Sequence, residues 1–174
     1  EEDRTDFISE LLIHLSFFDF HISNEDDCIV GDVFDYLLSL FAFESNSIGC
    51  YALLEVNMVL SKIVSLNKHV LDSVYDSCSG LSSSLLSVKR EVLVNNFYGE
   101  EINQTYFNIA RMNMLIHNVK CGDFNLVCGD CLEHPGFEGV KFDAIVSNLI
   151  CYSHWSGDRK FLNDERFKDY GRVP

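Results

Sequence analysis

Apolar residues recur at helical spacing through the first third of the chain. In "TDFISELLIHLSFF", Phe7 and Leu11 share a side with His14 or Leu15, and Thr5 stands where a helix N-cap is wanted. "GDVFDYLLSLFAF" predicts a second helix, with Val33, Tyr36, Leu37 and Leu40 along one stripe. "LLEVNMVLSKIVSL" predicts a third through Val56, Val59, Leu60 and Ile63. No proline interrupts these segments, and the polar "ESNSIG" between the second and third is a loop by composition.

After residue 67 the period changes. "HVLDSVYDS" is a short apolar run that predicts a strand ending at Asp76, followed by Gly80 and a serine-rich turn. "LLSVKREV" then reads as helix, "NNFYGEEI" as a second strand, and "NQTYFNIARMNMLIHN" as a helix with Phe107, Ala110 and Met114 on one stripe. "FNLVCGD" and "KFDAIVSN" complete a set of four strands. Strands alternating with helices predict βαβ units and a parallel sheet. The unbroken apolar "DAIV" suits a parallel strand covered on both faces. The expected organisation is a helical region over residues 1–67 and an open α/β sheet over 68–174.

Composition narrows the function classes. At 174 residues the chain has room for one ordinary domain, and 47% hydrophobic residues with only 2 Pro argue for a packed core. No apolar run approaches the roughly 20 residues of a membrane span, and no leader is visible, so a cytoplasmic protein without membrane partners is expected. The formal net charge of −14 repels a phosphate backbone. Tight DNA binding would need a more basic partner. Seven cysteines are scattered rather than framed, which favours reduced thiols. Cys128-Gly-Asp-Cys131 has C-x-x-C spacing, with Cys121 nearby and His117 or His134 as conceivable further ligands. It straddles a strand end and has no second C-x-x-C, so ordinary thiols and no metal are expected.

In open parallel sheets, ligands bind beyond the carboxyl ends of the strands. Those ends carry Asp76 with Gly80, Glu101, Asp130 and Asn148. Glu101 lies ~20 residues after the first turn, where nucleotide-binding α/β folds place a ribose-binding acid. Each has a plainer role available: Asp76 as a helix cap, Glu101 and Asp130 as solvated turn acids, Asn148 as a turn former. Together the four favour a ligand crevice.

The run "FYGEEINQTYFNIARMNMLIHNV", followed by "GDCLEHPGFEGVKFDAIVSN", resembles the modification (methylase) subunit of type I restriction–modification systems. "VGDVFDYLLSLFA", "EVNMVLSKIV", Trp155 and "DERFKDYG" extend the resemblance from about residue 28 to the end. That family consists of S-adenosylmethionine-dependent DNA adenine-N6 methyltransferases. The resemblance implies a Rossmann-like methyltransferase fold, partial and mostly parallel, behind N-terminal helices. It assigns Asp76 and Gly80 to the first cofactor motif, Glu101 to the cofactor ribose and Asp130 to the cofactor adenine. Tyr51 falls in the element that closes the cofactor pocket. Asn148 matches the start of the family's Asn-Pro-Pro-Tyr motif. There the Asn amide oxygen and the next backbone carbonyl, here Leu149, accept from the target amino group, and an aromatic ring stacks on the flipped base. Tyr152 is the available ring, one residue late.

The chain departs from the family where ligands are touched. Asn148-Leu149-Ile150-Cys151 replaces Asn-Pro-Pro-Tyr, so proline's fixed φ and the stacking ring are missing. Asp76-Ser77-Cys78-Ser79-Gly80-Leu81-Ser82 stands for Asp-Pro-Thr-Cys-Gly-Ser-Gly, with Leu81 at a small position and Ser82 at the second glycine. Cys50-Tyr51-Ala52-Leu53 replaces Phe-Tyr-Thr-Pro. The family continues beyond the fourth strand, so the chain is expected to be truncated at its C-terminus, with that strand as an exposed edge. The function implied is adenine-N6 methylation of DNA, together with a specificity subunit and other restriction–modification subunits. The departures set two readings beside it: a catalytically silent remnant, and a non-enzymatic interaction module. His154 is expected at the surface.

Overall fold

The computed structural model describes residues 27–44 and 54–149, together with residues 9, 10, 13, 14, 16 and 17. The first predicted helix, Tyr51, Cys151, Tyr152 and His154 lie wholly or largely outside the described residues. Two helices come first, α1 (Asp27–Glu44) and α2 (Leu54–Ser65), and then strand and helix alternate: β1 (Val70–Asp76), α3 (Ser83–Glu91), β2 (Leu93–Glu101), α4 (Gln104–Ile116), β3 (Phe124–Cys128) and β4 (Ala144–Ile145). All strand pairings are parallel, in the order β3-β2-β1-β4. The predicted α/β sheet behind N-terminal helices is the architecture found.

Register follows the apolar residues. Val74 pairs with Phe97 and with Ala144, and Phe97 with Phe124, so one sheet face is apolar along its middle. Leu85, Leu86 and Val88 of α3 and Met114 of α4 close over that face, and all are buried. Each such side chain contributes about 1.5–3 kcal/mol by leaving water. The opposite face carries Tyr75 and Tyr98, paired in register. The connection from β3 to β4 lays Phe142 flat on Tyr75, centroids 4.7 Å apart, and Phe137 edge-on to both tyrosines. Beneath them Glu100 is 1% exposed, accepting from the Tyr75 hydroxyl at 2.6 Å and from Gly136 N–H at 3.0 Å.

Helix ends follow local chemistry. The Asn103 side chain caps α4 by accepting from Thr105 N–H and Tyr106 N–H. Asn118, at φ 57°, turns the chain left-handed past its other end, and Val119 N–H returns to Met114 C=O.

One sequence expectation needs correction, and the apolar stripes of α1 and α2 face outward. Val33, Tyr36, Leu37 and Leu40 do share a side of α1, but all four are exposed, as are Val56, Val59 and Ile63 on α2. The inward positions are small or polar instead. Gly31 and Asp35 face His117, while Asn57 and Ser61 are buried in the α2–α3 contact, where Ser84 donates to Asn57 Oδ1 at 3.1 Å. The fourth strand is also shorter than its apolar run. Only Ala144 and Ile145 pair, and Ile145 is 62% exposed, so "DAIV" is covered on one face.

Candidate active site

Parallel strands deliver their carboxyl ends to one edge. Asp76 ends β1, Glu101 ends β2, Asp130 lies two residues past β3, and Asn148 three residues past β4. Hydrogen bonds brace each position against its neighbours. The Ser147 hydroxyl donates to Asp76 Oδ1 at 3.0 Å and lies 3.1 Å from the Ser77 hydroxyl. Gly80 N–H donates to Glu101 Oε2 at 2.9 Å, and Gly129 N–H to the Glu101 carbonyl at 3.0 Å. Asp130 Oδ1 then accepts from Leu132 N–H and Glu133 N–H, which holds its carboxylate in one orientation. Asn148 and Leu149 are exposed at the end of the row.

The turn between β1 and α3 sits close against β2. Ser79 N–H donates to the Glu100 carbonyl, and a β-carbon on Gly99 would come within 3.0 Å of Ser79 Cβ and 2.7 Å of Leu126. Glycine at 99 lets that turn approach. Gly80 (φ 53°) and Ser82 (φ 64°) both take the left-handed conformation, which suits the first and strains the second. Leu81 is buried, its carbonyl accepting from Asn113 Nδ2 at 2.8 Å, so the side chain that departs from the family's small residue is turned into the protein.

Asp76 is the most perturbed acid of the row. Burial pushes its carboxyl up to about 6, against hydrogen bonds from Cys78 N–H and the Ser147 hydroxyl, which favour the ionised form. Its Oδ2 is buried without a hydrogen-bond partner, while the nearby Ser84 hydroxyl, which also favours the ionised form, donates to Asn57 Oδ1. Asn57 Nδ2 and Ser82 Oγ are likewise buried and unpartnered. Three orphaned polar atoms beside one turn are a donor and acceptor set suited to a polar ligand.

Sequence reasoning missed Ser147, Asn57 and Glu100. Ser147 could have been noticed as the residue before Asn148, on the strand neighbouring Asp76. Asn57 sits inside an apolar helical pattern, where a lone polar residue is a signal. Glu100 precedes the acid that drew notice, and its burial depends on Tyr75 and Gly136, which no local pattern reveals. Among the described residues no group of three His, Cys, Asp or Glu side chains is placed to hold a metal ion. Cys128 points to the Ile102 carbonyl, away from any such cluster. No described helix is long and apolar enough to cross a membrane.

A parallel sheet in this order, flanked by helices and tipped with acids, is the frame of Rossmann-like methyltransferases. A solved type I restriction–modification methyltransferase subunit from Streptococcus thermophilus superposes with a TM-score of 0.78 at 27% identity, over 92% of this chain and 35% of that one. The chain belongs to the N-6 DNA methylase family, whose model matches residues 24–174. It is 32% identical to the type I restriction enzyme MpnII methylase subunit of Mycoplasma pneumoniae, over 98% of this chain and 35% of that protein. It is 29% identical to the HindI methylase subunit of Haemophilus influenzae, over 88% of this chain and 35% of that one. The chain thus spans about a third of the length of these relatives. S-adenosylmethionine is the cofactor expected of the family, and the buried acceptor oxygens of Asp76 and Glu101 at this rim are of a kind suited to a polar nucleoside ligand.

Proposed function

We propose that this chain is the cofactor-binding portion of a type I modification methylase that methylates adenine N6 in DNA. The observation that carries the reading is the shared rim of the strand ends, where Ser147 donates to Asp76, Gly80 N–H donates to Glu101, and Gly129 N–H, beside Asp130, donates to the Glu101 carbonyl. It sets the acids we assign to the cofactor on the same edge as the segment bearing Asn148. Bound there, S-adenosylmethionine would supply the methyl group as an electrophile.

The chain's own groups would do the remaining work. The Glu101 carboxylate, oriented by Gly80 N–H on Oε2 and Asn103 N–H on Oε1, keeps lone pairs for ribose hydroxyls. Asp130 would accept from the adenine amino group of the cofactor. Asn148 Oδ1 and the Leu149 carbonyl would accept from the target N6 amine, concentrating its lone pair on the methyl carbon. The amine is itself the nucleophile, so no cysteine need act. DNA would be engaged with a specificity subunit, because a chain of net charge −14 repels the duplex.

One feature favours a second reading, binding without turnover. Leu149-Ile150-Cys151 offers no ring to hold a flipped base and no proline to fix the turn. A calorimetric titration of the chain with S-adenosylmethionine, followed by a methyl-transfer assay on adenine-containing duplex with a specificity subunit present, separates the two. Binding with transfer supports the methylase, and binding without transfer supports the silent form. A folded chain giving no heat at millimolar cofactor refutes both.

A further inference from the structure

The turn between β1 and α3 contains two left-handed residues, Gly80 at φ 53° and Ser82 at φ 64°. Glycine adopts that conformation freely, whereas a residue with a β-carbon keeps it only where its surroundings impose it. The Ser82 side chain imposes nothing, because it caps no helix N–H and its hydroxyl is buried without a partner. The constraint comes from the peptide that joins Leu81 to Ser82. Its N–H donates to the Ser79 carbonyl at 2.6 Å, and its carbonyl accepts from Asn113 Nδ2 at 2.8 Å. On the far side, the Ser82 carbonyl accepts from Leu86 N–H at 3.0 Å in the first turn of α3. With the peptide planes on both sides of Ser82 fixed, its φ has no room to relax.

Asn113 is fully buried on α4, where the inward residues Ala110 and Met114 are apolar. Its Oδ1 has no hydrogen-bond partner. A buried amide with part of its hydrogen-bonding capacity unmet costs stability that an apolar side chain of like volume does not. What the amide supplies, and leucine cannot, is the donor to the Leu81 carbonyl. The turn it grips is the one whose other amides reach the end of β2. Ser79 N–H donates to the Glu100 carbonyl at 2.8 Å, and Gly80 N–H to Glu101 Oε2 at 2.9 Å.

We propose that Asn113 is a positioning residue for cofactor binding. From α4 it grips the Leu81–Ser82 peptide and keeps the turn in the shape that aims Gly80 N–H at Glu101, the acid assigned to the ribose. Without that donor the peptide rotates, Ser82 returns to negative φ, and the Gly80 amide no longer orients the Glu101 carboxylate. The role toward the cofactor rests on the function proposed above, whereas the grip on the peptide does not.

The test uses the full chain as wild type, N113L, S82G and S82G/N113L. The first readout is amide hydrogen exchange of the free protein by NMR. In N113L, protection at Gly80 and Ser82 should fall about tenfold while Val74 and Phe97 in the sheet keep theirs. Adding Ser82→Gly should restore it, because glycine holds the left-handed conformation unaided. Unchanged exchange in N113L, or no recovery in the double variant, overturns the proposal. The second readout is calorimetric titration with S-adenosylmethionine. N113L should bind about tenfold more weakly and S82G/N113L as the wild type does. Met114→Ala, a core truncation on the same helix, should lower stability and leave the affinity unchanged. Equal weakening by Met114→Ala would assign the effect to stability and overturn the positioning role. Should N113L fail to fold, S82G/N113L is compared with S82G alone. Equal exchange and affinity then support the proposal, and weaker values in the double variant overturn it. A wild-type chain that binds no cofactor refutes the proposed function and with it the role toward the cofactor, while the exchange data still decide the grip.

Discussion

Ser82 combines two unfavourable features at one position. Its φ of 64° places a β-carbon in the left-handed region, and its hydroxyl is buried without a partner. Ser82→Gly removes both and is expected to raise unfolding stability by about 1–3 kcal/mol in urea denaturation. A loss of stability would show that the hydroxyl has a role the geometry hides. Asp76 has a different signature. The folded chain keeps its carboxyl protonated up to about pH 6, and the unfolded chain releases that proton near pH 3.8. Folded protein binds the extra proton between those values, so this contribution is present at low pH and is lost as pH rises through 6. Roughly two units of difference correspond to about 3 kcal/mol. Asp76→Asn should therefore stabilise the chain at pH 7.5 and do little at pH 4, and equal effects at both pH values would refute the account. Asp76, Gly80, Glu101, Asp130 and Asn148 were legible because strand ends follow from apolar runs. Ser147 was not, since its value comes from a neighbouring strand 71 residues away in sequence.

Among the elements, α1 joins the sheet layer through polar contacts. Arg90 reaches Asp32 at 2.8 Å and Asp35 at 3.2 Å, His117 Nε2 lies 3.4 Å from Asp35, and Gly31 rests on the His117 ring. The ion pairs are partly exposed, so Arg90→Ala should cost less than about 1 kcal/mol. A β-carbon at Gly31 would sit 2.6 Å from His117 Cδ2, and the ring cannot swing freely because its Nδ1 engages the Asn113 carbonyl. Gly31→Ala should cost about 1–3 kcal/mol and speed hydrogen exchange in α1. If Arg90→Ala proves the costlier change, charge and not close approach docks this helix. The apolar period revealed that α1 and α2 are helices and left open which side turns inward. Periodicity reports segregation of apolar residues, and here the inward side is chosen by Gly31, Asp35, Asn57 and Ser61. In the sheet, the alternation of strand and helix made parallel pairing readable, whereas the order β3-β2-β1-β4 is set by long-range packing that no apolar run records.

For the whole molecule, charge sets the behaviour toward nucleic acid. At −14, the isolated chain should give no anisotropy change with labelled duplex at ~0.15 M salt, and a basic specificity subunit should restore association. Tight binding by the chain alone would contradict this. A final consequence comes from one hydroxyl. Ser147 holds the acid of the first turn on one side and precedes Asn148 on the other, so one hydroxyl ties the end of β1 to the segment after β4. Under the function proposed above, Ser147→Ala should therefore weaken cofactor binding and methyl transfer together, and loss of one with the other unchanged would refute the shared tie.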